Sequence, residues 1–114
     1  MRNYFREPRQ ATGSGGASDD VTFGPVEPGR VYTIDELAIE DKTTTVTTEA
    51  RVLISGHGYD HPVLEQATPA AGTLYWLEGR TLHLFEGETL VARFVGATSG
   101  DVLQMYLAGY WEET

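Results

Sequence analysis

From Arg30 onward, apolar residues return at every second position rather than every third or fourth. A period of two fits pleated strands with one face buried and excludes amphipathic helices. The segment DVLQMYLAGYW (101–111) sets Leu103, Met105, Leu107 and Trp111 on one face. Val102, Gln104, Tyr106 and Tyr110 fall on the other. ETLVARFVG (88–96) alternates in the same way, Leu90, Ala92 and Phe94 against Val91, Arg93 and Val95. RVYTIDELAIE (30–40) divides into Val31, Leu37 and Ile39 against Tyr32, Ile34 and Ala38. TTTVTTEARVLIS (43–55) is rich in the β-branched residues that strands favour. HPVLEQA (61–67) begins at a proline and fits an edge strand. TLYWLEG (73–79) and RTLHLFEG (80–87) meet at Glu78-Gly79-Arg80, where glycine allows a hairpin or a corner. A competing helix start exists at Thr33, with Glu36 three residues on. The Val31-Tyr32 pair before it and the Thr-rich run after it favour strand.

Turn signals recur about every 8–12 residues, the spacing of a sandwich or barrel of seven or eight short strands. The fold expected is therefore all-β, a single antiparallel sandwich. ATGSGGASDD (11–20) has linker composition. Residues 1–20 are therefore expected as a flexible arm ahead of a folded body at 21–114.

Charge divides along the same line. Residues 1–10 carry Arg2, Arg6 and Arg9 against Glu7, while the whole 114-residue chain has a net charge of −9. An acidic body disfavours nucleic acid and anionic lipid, so neither is an expected partner. The arm residues Arg2, Tyr4, Phe5, Arg6 and Arg9 form the expected partner-binding set. With no cysteine, disulfides and thiolate zinc sites are excluded.

The stretch GHGYDHP (56–62) looks most like chemistry, with His57, Asp60 and His61 within five residues. Metal sites take three or four ligands of matched geometry. The H-x-x-D-H spacing matches no metal signature, and His83 is remote in sequence. Gly56 and Gly58 mark a sharp turn, so the expected role is a loop, with no metal and no cofactor. Ser55 lies near His57, but lacks the strand–turn–helix setting of a nucleophile elbow. GSGG (13–16) lacks the lysine of a phosphate loop. No enzymatic activity is expected. Among the aromatics, Trp76, Phe94 and Trp111 alternate with aliphatic residues as core residues do. Tyr75, Tyr106 and Tyr110 form the expected outward set, at a subunit interface or, alternatively, on a carbohydrate- or receptor-binding face.

TPAAGTLYWLEGRTLHLFEGETLVARFVGATSGDVLQMYLAGYW (68–111) resembles the C-terminal half of small virion proteins of tailed bacteriophages. The resemblance runs through Leu74-Tyr75-Trp76, Glu86-Gly87-Glu88, Ala92-Arg93-Phe94, Gly96-Ala97-Thr98, Gly100-Asp101 and Gly109-Tyr110-Trp111, and extends upstream to about residue 30. It implies a jelly-roll-like sandwich without enzymatic activity that decorates or cements a capsid, or sits at the head–tail junction. It also implies the major capsid protein or another virion protein as partner, homo-oligomers with a trimer favoured, and residence in a phage particle assembled in the host cytoplasm.

Overall fold

The computed structural model describes residues 1–44 and 47–114. Nine strands are present among them: β1 (Asn3–Thr12), β2 (Ser18–Phe23), β3 (Arg30–Asp41), β4 (Glu49–Gly56), β5 (Tyr59–Ala67), β6 (Tyr75–Trp76), β7 (Leu82–Leu84), β8 (Thr89–Val95) and β9 (Val102–Glu113). The segment expected as a possible helix, Thr33–Glu40, lies inside β3. One sheet runs β1-β9-β3-β6, with β7 also on β3; the other runs β2-β8-β4-β5. Every pairing is antiparallel.

β6 meets β3 at Ala38 and Ile39, and β7 meets it at Tyr32 to Ile34, so the two form one interrupted edge strand. Of the hairpin or corner expected at Glu78-Gly79-Arg80, the structure has the corner, which breaks this strand. The break faces a bulge in β3 between Ile34 and Glu36. Counting β6 and β7 as one strand leaves eight positions, 1-9-3-6/7 over 2-8-4-5, which is jelly-roll wiring.

Alternation places the core. Leu103, Met105 and Leu107 of β9 and Leu90, Ala92 and Phe94 of β8 are buried against each other across the sandwich, on the faces expected. In β3 the alternation breaks. Ile34 and Leu37 both enter the core although they stand three positions apart, an odd offset that simple alternation would put on opposite faces. The bulge adds one residue and turns the strand over between them. The same bulge explains Gly109. A Cβ there would collide with the carbonyl oxygen of Thr33, so only glycine lets β9 pass.

The N-terminal segment corrects the arm expectation. Asn3–Thr12 pairs with β9 over its whole length, from Asn3↔Trp111 to Thr12↔Val102. The Gly-Ser stretch is a pinned turn rather than a linker: Gly13 N–H donates to the Asp101 carbonyl at 2.8 Å, and Gly100 N–H to that of Gly13 at 2.8 Å. Composition misled because an edge strand buries little and carries charge on both faces. The Thr-rich run expected as strand from residue 43 becomes strand only at Glu49, and Thr45 and Val46 lie outside the described residues.

Each open end of the sandwich is closed differently. At one end Phe5 stacks on Phe23 with centroids 5.6 Å apart, and Tyr32 meets both rings edge-on. At the other end the fully buried Asp41 accepts hydrogen bonds from Thr43 N–H (3.0 Å) and the Thr47 hydroxyl (2.7 Å). Asp101, also buried, accepts from the Thr44 hydroxyl (2.7 Å) and Thr98 N–H (3.1 Å). Burial raises the Asp41 pKa, but these donors outweigh it and hold the carboxyl below its usual range.

Removing residues 1–12 will strip β1 from β9 and uncover Phe23 and Tyr32. Urea unfolding of the truncated chain is expected to show no cooperative transition; a sharp, full-amplitude transition would restore the free-arm expectation. Gly109→Ala is expected to cost about 2–3 kcal/mol in the same assay, the usual scale for a forced overlap in a packed interior.

Candidate functional site

GHGYDHP forms the β4–β5 hairpin turn. Gly56 and Tyr59 are partners, and the two residues between them have positive φ, 51° at His57 and 83° at Gly58. That is the geometry of a type I′ turn. His57 is hooked to the turn before β8 by a 2.9 Å hydrogen bond between Nε2 and the Glu86 carbonyl. The Tyr59 hydroxyl donates to the Glu88 carboxylate, and that bond raises the Tyr59 pKa. Asp60 and His61 are successive strand residues, so their side chains leave opposite faces. His83 lies in the other sheet, 3.3 Å from the Thr33 hydroxyl. Among the described residues, no three His, Cys, Asp or Glu side chains gather where an ion could sit.

Of the five residues expected on a free arm, Arg2 precedes β1 and the other four are divided between its two faces. Phe5 and Arg9 turn to the aromatic end of the sandwich, where the Arg9 guanidinium lies 5.3 Å from the Phe23 centroid. Tyr4 and Arg6 turn outward. Tyr4 lies against Tyr110 at 5.6 Å, and Arg2 sits 4.3 Å over the Tyr110 ring.

The expected interface tyrosines are not all together. Tyr106 and Tyr110 lie on the outer face of the β1-β9-β3 sheet. Tyr75 turns inward beside Ile39, packs on the core and accepts the Ala70 N–H through its hydroxyl at 2.8 Å. Its neighbour Trp76, expected in the core, is 47% exposed on the outer face. β6 pairs Tyr75 with the core-facing Ile39 and Trp76 with Ala38 on the opposite side. Phe94 is fully buried as expected, and Trp111 is half-buried with Arg30 stacked 3.7 Å over its ring.

The registers order this outer face into rows across the strands. Gln10, Gln104 and Glu40 form one row; Pro8, Tyr106, Ala38 and Trp76 the next. Arg6, Ala108 and Glu36 follow, and then Tyr4, Tyr110, Thr33 and His83. Aromatic rows thus flank a row with alanine at its centre. The resulting hollow of about 350 Å³ is lined by Arg6, Pro8, Glu36, Leu74, Trp76 and Tyr106, among others. Tyr4 (72% exposed), Trp76 (47%) and Leu74 (39%) stand out around it. Sequence alternation identified Tyr106 and Tyr110, but missed Trp76 and Leu74 because the bulge and the broken edge strand reset the faces.

A polar chain crosses the face beside the hollow. Gln104 Nε2 donates to Gln10 Oε1 at 2.8 Å, and the Tyr106 hydroxyl contacts Gln104 and donates to Glu40 at 2.6 Å. Burial, then the Glu40 carboxylate, push the Tyr106 pKa up to about 12. The folded state thus binds this proton more tightly than the unfolded chain, whose tyrosine titrates near 10.0. The associated stability is complete below pH 10 and is lost as pH rises through about 12. Tyr106→Phe leaves the buried Glu40 without its donor and is expected to cost about 1–3 kcal/mol near neutral pH. Urea unfolding at several pH values will measure that loss, and the variant's stability is expected to fall less steeply than the parent's above pH 10.

No family model matches this chain, and no curated protein matches it. Among solved structures, it is similar to the core of Drosophila NLP, whose structure was described for pentamer formation and histone binding. The identity is 12%, the match covers 97% of this chain and 99% of that one, and the TM-score is 0.45. It is also similar to a structure described as "CBM4 structure and function", at 13% identity, 90% and 70% coverage and a TM-score of 0.38.

Proposed function

We propose that this chain is a non-enzymatic structural protein of a bacteriophage virion, a capsid decoration or cement protein acting as a homo-oligomer bound to the major capsid protein. The observation that carries the reading is the outer face of the β1-β9-β3 sheet. Tyr4, Tyr106, Tyr110, Trp76, Arg2 and Arg6, of the residue types enriched where proteins meet, lie there, and the chain's single lysine, Lys42, lies outside the hollow. Exposed Tyr4, Leu74 and Trp76 on an otherwise acidic body suit an assembly surface more than a catalytic one. The phage-like pattern of residues 68–111 supplies the virion setting. Several of its positions have structural work here: Gly109 passes under the β3 bulge, and Asp101 closes one end of the sandwich. The binding element in this reading is a rigid face rather than a flexible arm. A place at the neck or tail is the alternative within the particle.

A second reading has its own observation. Exposed Trp76 beside the Gln104–Tyr106–Glu40 hydrogen-bond chain offers a flat ring next to polar groups, the pairing a saccharide ring needs.

The deciding measurement is the copy number of this chain in purified particles, relative to the major capsid protein. Comparable numbers are expected. A single ring's worth of copies would move the protein to the neck or tail. Absence from particles would end the virion reading, and saturable binding to a glycan array would then favour the second.

A further inference from the structure

The geometry points to a twofold pairing of two copies of this chain, face to face through the outer side of the β1-β9-β3 sheet, with the axis running along β9. This rests on the reading of the chain as an assembly protein and names the surface through which copies meet.

Charge is the first ground. Arg6 and Glu36 share Ala108 as their ladder partner, one on each side of β9. Neighbouring strands lie about 4.8 Å apart, so the two backbones stand about 10 Å apart across a small side chain. Both side chains are exposed and both line the hollow. Among the described residues neither forms an ion pair, although Arg9, Arg30, Arg51 and Arg93 all do. Rotation about an axis along β9 lays each Arg6 over the other copy's Glu36, and both charges find partners at once.

Shape is the second, read from the same registers. The rotation places β1 of one copy over β3 of the other, row on row. Tyr4, which projects from β1, falls opposite Thr33, which is buried. Pro8 falls opposite Ala38, which is fully buried and presents little bulk. Gln10 falls opposite Glu40, an amide donor against a carboxylate. The large side chains of β1 therefore meet the small or acidic ones of β3, while on the axis Tyr106 and Tyr110 of β9 meet their own counterparts ring to ring. A patch that complements itself in this way is what an isologous contact requires. A trimer would need two different complementary patches.

Sedimentation velocity and light scattering on the full chain test this, with circular dichroism to show that each variant folds. The parent is expected at twice the 12.5 kDa chain mass. Arg6→Glu and Glu36→Arg each set like charges together at both symmetric contacts, and each is expected to weaken association by more than about tenfold. The double variant restores opposite charges and is expected to associate again. A parent that stays monomeric at every accessible concentration overturns the pairing, as does a trimer. A dimer indifferent to the single reversals places the contact elsewhere, and failure of the double variant to reassociate removes the Arg6–Glu36 match. Particle copy number keeps the two readings apart. A monomer found abundantly in particles ends this pairing and leaves the virion role, whereas a charge-swappable dimer absent from particles does the reverse.

Discussion

β9 is the strand on which both ends of the chain depend. It is hydrogen-bonded to β1 on one side and to β3 on the other, so it is the inner strand that closes the sheet. These pairings join residues separated by most of the sequence, and they form only once the intervening strands are placed. Their inner side supplies Leu103, Met105 and Leu107 to the core. Their outer side supplies the aromatic rows. One ladder thus sets the core, the end closures and the candidate site together, because Trp111 reaches the aromatic end while Asp101 begins the polar one.

Exposed strand edges are templates for pairing with other chains, and here they are guarded. Pro8 sits midway along β1, where its missing N–H is tolerable only on the free side. Pro62 lies in β5 next to a bulge between Val52 and Leu53 of its ladder with β4. The far edge of the first sheet is broken into β6 and β7. β2 carries Asp19 and Asp20, the latter held by Arg93 at 2.9 Å. With edges guarded, apolar surface stays open on the outer face of the β1-β9-β3 sheet, at Tyr4, Leu74 and Trp76, and beside the turns before β5 and β8, at Tyr59 and Phe85.

The strands that follow one rule from end to end were legible in the sequence. β9 buries the alternate residues its pattern indicates, β8 buries Leu90, Ala92 and Phe94 as indicated and Val91 besides, and β5 is the edge strand its proline suggested. The β4–β5 connection is the turn its glycines indicated. β3 was not legible in its faces, because a bulge is one extra residue and leaves no mark in composition. The inversion of Tyr75 and Trp76 follows from a two-residue strand, too short to display a period. β1 was misread because its alternation is written in charged and small residues: its inward set includes Phe5, Glu7 and Arg9, and their burial is partial at best. Half of the candidate site was therefore visible as Tyr106 and Tyr110. The other half required the registers that bring Arg6, Glu36 and Trp76 beside them.

The fate of β1 changes the energetics of any association. A free arm must be ordered on binding, at roughly 1–2 kcal/mol per residue of backbone entropy. In this chain that cost is met during folding, by ten residues of ladder with β9. What a partner then has to order is a few side chains, at about 0.5–1.5 kcal/mol each. Several are already restrained: Tyr106 by Glu40, Tyr4 and Arg2 by Tyr110. The opposing term is electrostatic, since each chain carries a net charge of −9 and like bodies repel. That repulsion is spread over the surface and screened beyond about 8 Å at physiological salt, whereas charges brought into contact are not. A contact that sets arginine against glutamate within an aromatic face is the arrangement by which such a chain can associate in spite of its net charge of −9.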